Sequence, residues 1–303
     1  MTPRDAISAT VESAGQAAEI RSPAWPYLWV AKPGIVGLVV VATLSGLFVA
    51  GRGLPEGWLV FWTLASVMFS TAGAAALNNY YDRDIDQIMA RTRGRPIPSG
   101  AVAAGGALAF GIAASLLSLV VSGLFVNAMV AALNGAAIFI YVVLYTMLTK
   151  RTTPLATFIG GVGGALPPVI GYAAVHPALD VNALTLFMII FAWQHPHFWS
   201  LALKYVEEYR AAGVRNHPVA LGVDATKRRI ALWAALMAPI TFMPYFLGMA
   251  GPWYLLAAAV VGGLHVGLAA WFLLSPRKVA MSVFIFSIVQ LPLLFTIMVL
   301  DIR

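Results

Sequence analysis

Apolar residues fill this chain in long unbroken blocks, not at alternate positions or along a single helical stripe. Nine blocks run from Ile35 to Ala50, Trp58 to Leu77, Val102 to Val121, Val126 to Met147, Thr157 to Ala174, Ala183 to Leu203, Ile230 to Gly248, Trp253 to Leu274 and Val279 to Leu300. A helix rises about 1.5 Å per residue, so about 20 such residues cross a hydrocarbon core of about 30 Å. Membrane β-strands would be shorter and would alternate apolar with polar positions. The pattern therefore predicts an all-α, polytopic membrane protein with nine transmembrane helices in one domain over residues 31–303. A flexible tail, residues 1–30, precedes it.

Polar residues gather between the blocks, and unevenly. With the N-terminus cytoplasmic, the tail and the loops after helices 2, 4, 6 and 8 hold 17 of the 19 basic residues, all except Arg52 and Arg303. This is the distribution the positive-inside rule requires. It predicts a multi-pass membrane protein with its polar face toward the cytoplasm. The net charge of +7 follows from the same rule and requires no nucleic-acid partner.

Composition agrees: 60% of the residues are hydrophobic, 10% are charged, and the mean hydropathy is +0.84, so lipid is the main solvent. Cysteine is absent, which excludes thiolate nucleophiles, thiolate-bound zinc and disulfides.

Two long loops, Asn78 to Ala101 and Lys204 to Arg229, carry the candidate chemistry. In the first, Asn78, Asp82 and Asp86 recur every fourth residue, so a helix would project all three from nearly one face. Hard oxygen donors at that spacing suit Mg²⁺, which takes one or two carboxylates and completes its octahedron with phosphate and water. Arg83, Arg91, Arg93 and Arg95 follow, and a guanidinium fork matches phosphate oxygens. Each arginine also reads as simple orienting charge.

The run from Asn78 through Asp86 to Arg91-Thr-x-x-Arg95-Pro-x-Pro98-Ser-Gly100 resembles the first aspartate-rich motif of the UbiA superfamily of intramembrane prenyltransferases. The resemblance extends over nearly the whole chain. It implies a nine-helix bundle, a central cavity open to lipid, and magnesium diphosphate held by Asn78, Asp82 and Asp86.

The second loop reads Trp193-Gln-His195-Pro-His197-Phe-Trp, then Lys204, Glu207, Glu208 and Tyr209. Together with Lys32-Pro33 and the run Gly160-Gly161-x-Gly163-Gly164, it is similar to the haem-farnesylating members of that superfamily. This implies a bacterial cytoplasmic membrane as the location, farnesyl diphosphate as donor, haem B as acceptor, haem O as product and a haem A synthase as a candidate partner.

The resemblance makes Asn78, Asp82, Asp86, Lys204 and Glu208 the catalytic set. Glu207 and Glu208 stand as further magnesium ligands where those members carry an aspartate. Arg83, Arg91, Arg95, His195, His197 and Tyr209 become the substrate contacts.

Read from the residues alone, several of these stay open. Lys204 either reaches phosphate or snorkels to the interface. His195 and His197 either meet the haem or are satisfied structural histidines, and both can face one cavity only if the helix breaks at Pro196. The glycines Gly160 to Gly164 are expected to serve close helix packing, and His265 in helix 8 to hydrogen-bond a neighbouring helix. The competing functions are prenylation of an aromatic quinone precursor, which needs no imidazole, and secondary transport, which would place acids near the bilayer midplane.

Overall fold

The structure, a computed structural model, describes residues 26–303. Most of the expected tail lies outside the described residues, and its last five residues form a short helix, α1 (Pro26–Val30). There follow α2 (Pro33–Gly51), α3 (Gly57–Tyr81), α4 (Arg83–Ile88), α5 (Ala104–Phe125) and α6 (Ala128–Phe139), which continues as a π-helix over Ile140–Thr149. The fifth block is split into α7 (Ala156–Gly164) and α8 (Pro167–Val175). The chain ends with α9 (Val181–Lys204), α10 (Val206–Ala211), α11 (His217–Leu221), α12 (Val223–Phe246), α13 (Pro252–Leu274) and α14 (Ala280–Leu300). No strand is present among the described residues.

Among the described residues, eight segments are long and apolar enough to cross a membrane. The sixth expected block, α9, is a 24-residue helix, but Gln194, His195, His197 and Lys204 interrupt its apolar run. Side-chain caps set several helix starts. Asp180 Oδ1 accepts from Asn182 N at 2.9 Å and Ala183 N at 3.0 Å to begin α9, and Asn127 Oδ1 accepts from Val130 N at 2.9 Å to begin α6.

Neighbouring helices close a ring: α3 packs on α5, α5 on α6, the π-helix on α7, α7 on α9, α9 on α12, α12 on α13, α13 on α14, and α14 returns to α2 beside α3. Inside it α8 crosses α2 with almost no side chain between the backbones. A Cβ on Gly171 would collide with the Thr43 carbonyl oxygen, and one on Gly46 with that of Pro168. The main core joins Leu47, Ile170, Leu186, Ile189, Tyr254 and Phe295. Outward-facing Phe61, Leu124, Phe246, Leu264 and Ile285 are exposed, as suits a surface solvated by lipid.

Helix continuity resolves the alternative left open at Pro196. Pro196 does not break α9, which runs through it. The break falls instead at Ala165-Leu166, where Pro167 begins α8 and can donate no backbone hydrogen bond to α7. The π-helix was not anticipated, because hydrophobic blocks carry no record of whether backbone bonds run to the fourth or the fifth residue.

Candidate active site

The first polar motif sits where α3 turns into α4. Asp82 has left helical geometry, yet Asp82 N still bonds Asn78 O and Asp86 N bonds Asp82 O, both at 2.9 Å. The four-residue stagger therefore survives the junction, and Asn78, Asp82 and Asp86 stay together. All three are buried. The arginine run then folds back through tight turns, with Thr92 Oγ1 donating to Asp86 O at 2.9 Å, so that Arg95 grips both Asp86 carboxylate oxygens at 3.0 and 2.7 Å.

Three cations that sequence spacing did not assign complete this cluster. Lys32, at the start of α2, donates to Asn78 Oδ1 at 2.7 Å. Lys150, just past the π-helix, pairs with Asp82 Oδ2, and Arg151 approaches Asp82 Oδ1 at 3.8 Å while holding Asp84 by two bonds of 2.6 and 2.7 Å. That guanidinium keeps the Asp84 carboxyl below its usual range. Burial, followed by the charges of Arg95 and Lys150, pushes the Lys32 ammonium down to about 7. Asn78 Nδ2 spans to Asp82 Oδ2 at 2.8 Å and Thr146 Oγ1 at 3.0 Å, tying α3 to the π-helix.

The second loop meets the first through a small apolar clamp of Ile85, Met89, Ala212 and Val214, with Tyr209 against it. Arg91 donates its backbone N–H to Glu208 Oε2 at 3.3 Å and its guanidinium to Tyr209 Oη at 3.2 Å. Glu207 points outward to Arg210 and Arg277 and is 67% exposed. Lys204 is exposed beside the Tyr205 ring, and Arg83 is exposed against Tyr80. The fold thus brings together Asn78, Asp82, Asp86, Arg91, Arg95, Glu208 and Tyr209, and leaves Arg83, Lys204 and Glu207 at the periphery.

Behind this cluster a cavity of about 470 Å³ enters the bundle. Lys32, Asn78, Asp86, Arg91, Arg95, Lys150 and Tyr209 line its polar end, and Tyr141, Tyr145, Trp193, Gln194, His197 and Leu291 line its inner part. Gly160, Gly161, Gly163 and Gly164 form one wall, so these glycines serve the cavity as well as packing: a Cβ on Gly160 would lie 2.8 Å from the Tyr145 ring.

The two histidines diverge, as positions two residues apart on an unbroken helix must. His195 is fully buried among Phe158, Phe191, Trp199 and Trp233, stacking on Trp233 at 4.0 Å. Its Nδ1 donates to Phe191 O at 2.7 Å, and it does not line the cavity. His197 does line it. Ser287 spends its hydroxyl proton on Phe284 O at 2.6 Å, so at 2.8 Å it accepts from His197 Nδ1–H, leaving the Nε2 lone pair free. His265 departs from expectation, since neither of its buried ring nitrogens has a hydrogen-bond partner among the described residues.

Among the described residues no three His, Asp or Glu side chains gather closely enough to hold a metal unaided. Yet Asp82 Oδ1 is buried and accepts no hydrogen bond, while the other oxygen of the same carboxylate accepts from Asn78 Nδ2 at 2.8 Å. Few protein oxygens, completed by phosphate and water, is the pattern Mg²⁺ prefers, so the residues fit it.

A ring of membrane-length helices thus encloses a cavity whose polar end is lined by acids and cations. The chain belongs to the UbiA prenyltransferase family, which matches residues 39–291.

It is 45% identical over 275 residues to the "Protoheme IX farnesyltransferase" of Aquifex aeolicus (strain VF5), covering 91% of this chain and 94% of that protein. A protein of the same name from Methylocella silvestris is 42% identical over 290 residues, covering 94% of this chain and 91% of the relative.

Among solved structures, one described under the biosynthesis of digeranylgeranylglyceryl phosphate synthase in membranes shares the fold with a TM-score of 0.76 at 21% identity, covering 91% of this chain and 97% of its own. A UbiA homologue from Archaeoglobus fulgidus bound to GPP and Mg²⁺ follows with a TM-score of 0.62 at 17% identity, covering 90% and 99%.

Proposed function

We propose that this multi-pass membrane protein transfers a farnesyl group from farnesyl diphosphate to a vinyl group of haem B, yielding haem O at the cytoplasmic face of a bacterial cytoplasmic membrane. The observation that carries the acceptor assignment is His197, which lines the inner part of the cavity with its Nδ1 engaged by Ser287 and its Nε2 unpaired. An aromatic acceptor would need no such group. The names borne by relatives at 45% and 42% identity support the same reaction.

In this reading Asn78, Asp82 and Asp86, with Glu208 behind them, hold Mg²⁺ at the polar end. When bound, the ion supplies positive charge that stabilises the departing diphosphate. Lys32, Arg95 and Lys150 then turn from the protein amide and carboxylates to phosphate oxygens, joined by Arg91, which Tyr209 orients. The isoprenoid lies along Tyr141, Tyr145 and the glycine wall, shielded from bulk water. His197 binds the haem iron and His195 supports the helix from the other side. Arg83, Lys204 and Glu207 remain surface charges, and a haem A synthase is the downstream partner.

Extraction of haems from membranes of cells expressing the protein, with chromatography and mass measurement, tests this, using Asp82→Ala as control. A hydroxyethylfarnesyl haem present with the native chain and absent with the variant is expected. Unchanged haem B despite inserted protein and sufficient farnesyl diphosphate refutes the acceptor and directs attention to quinone precursors.

A further inference from the structure

Gln194 is a buried amide, 4% exposed, with a fixed orientation. Its Nε2 donates to Gly161 O at 3.0 Å and Ile190 O at 3.3 Å. Both partners are carbonyls that can only accept, so the nitrogen must occupy that side and Oε1 the other. Gln194 borders the cavity with Gly164, whose missing side chain keeps Oε1 clear: a Cβ there would run into Oε1 and lie 3.2 Å from Gln194 Cδ. No protein donor among the described residues reaches Oε1. An acceptor held this firmly, with nothing to accept from, is suited to an ordered water.

His197 lies three positions after Gln194, so both lie on one helical face about 4.5 Å apart along the axis. That offset is comparable with the distance from a haem iron to the edge of its macrocycle.

We propose that Gln194 is the positioning residue for the water that ends the reaction, an inference that rests on the haem farnesylation reading above. The allylic C–O bond breaks with its electron pair leaving on diphosphate, and the vinyl π pair forms the new C–C bond. The cation is left on the carbon attached to the porphyrin. A water donating one hydrogen to Gln194 Oε1 directs a lone pair to that carbon, forming the C–O bond. The water's second proton passes to the released diphosphate.

Amide chemistry suits this step. A carboxylate or a free imidazole at the same place would be basic enough to strip a proton from the neighbouring CH₂ and give an alkene. A neutral carbonyl holds water without competing for that proton.

The test is the ratio of hydroxylated to dehydrated product, the latter one water lighter, in cells or membranes supplied with oxygen-18 water. The native chain is expected to give hydroxylated haem carrying the heavy oxygen. Gln194→Leu is expected to lower the hydroxylated-to-dehydrated ratio about tenfold, the equivalent of one net hydrogen bond. Gly164→Ala, which displaces Oε1 while keeping the amide, should shift the ratio in the same direction.

A purely structural brace would change total yield without changing this ratio. An unchanged ratio in Gln194→Leu, or in Gly164→Ala should the first variant fail to insert, overturns the proposal. So does loss of every prenylated haem in both variants while farnesyl diphosphate is still cleaved, since Gln194 would then act before the C–C bond forms. Absence of prenylated haem from the native chain is a different failure: it refutes the haem reading itself, and this proposal falls with it.

Discussion

Replacing Lys150 by methionine probes the least visible part of the site. Asp82 is fully buried and Lys150 is 15% exposed, so their pair is shielded from solvent on one side and nearly so on the other. Removing one partner of a buried pair costs about 3–5 kcal/mol, because the remaining charge stays desolvated. Here Asn78 still donates to Asp82 at 2.8 Å and Arg151 stands 3.8 Å away, which keeps the expected loss near the lower bound, about 3 kcal/mol.

Thermal or denaturant unfolding of detergent-solubilised Lys150→Met, Asp82→Asn and the double variant would measure it as a double-mutant cycle. Neutralising both groups should restore much of the stability lost by Lys150→Met, although neither it nor the single variants should bind diphosphate normally. A double variant as unstable as the sum of the two singles refutes the coupling, and with it the assignment of Lys150 as counter-charge to the aspartate motif.

Gly171→Ala should be poorly tolerated. Its new methyl meets the Thr43 backbone and not a movable side chain, so overpacking is expected at the upper end of its usual range, about 3 kcal/mol, measurable as a lowered midpoint with little change in KM if any fold survives.

The pH dependence of stability should carry the signature of His217, buried against Trp199 with its Nδ1 on Thr226 Oγ1 at 3.1 Å. Burial, then the charge of Arg229, pushes it from 6.5 down to about 4. The unfolded chain therefore takes up the proton first on acidification. The contribution is complete above pH 6.5 and is lost progressively toward pH 4, by about 3 kcal/mol in all. His217→Gln should flatten that part of the profile relative to the native chain, and parallel profiles would refute it.

The sequence by itself determined the solvent, the fold class and the first polar motif. Continuous apolar blocks are a local property, and Asn78, Asp82 and Asp86 share a face because consecutive backbone bonds keep a four-residue stagger across the α3–α4 junction. The resemblance carried the site further, to Arg91, Arg95, Glu208 and Tyr209.

Only the tertiary structure decided which cations complete the cluster. Lys32 is 46 residues from Asn78 and Lys150 is 68 from Asp82, distances that no spacing argument bridges. A Lys-Arg pair at the end of an apolar block was the available signal, but the positive-inside rule explains it equally well. The two histidines were separated the same way. Sequence placed both beside Pro196, and only an unbroken α9 turns His195 into an aromatic box and His197 into the cavity. Which carboxylates are buried, and which way a proline-containing helix runs, depends on what packs around them, and those neighbours are drawn from every part of the chain.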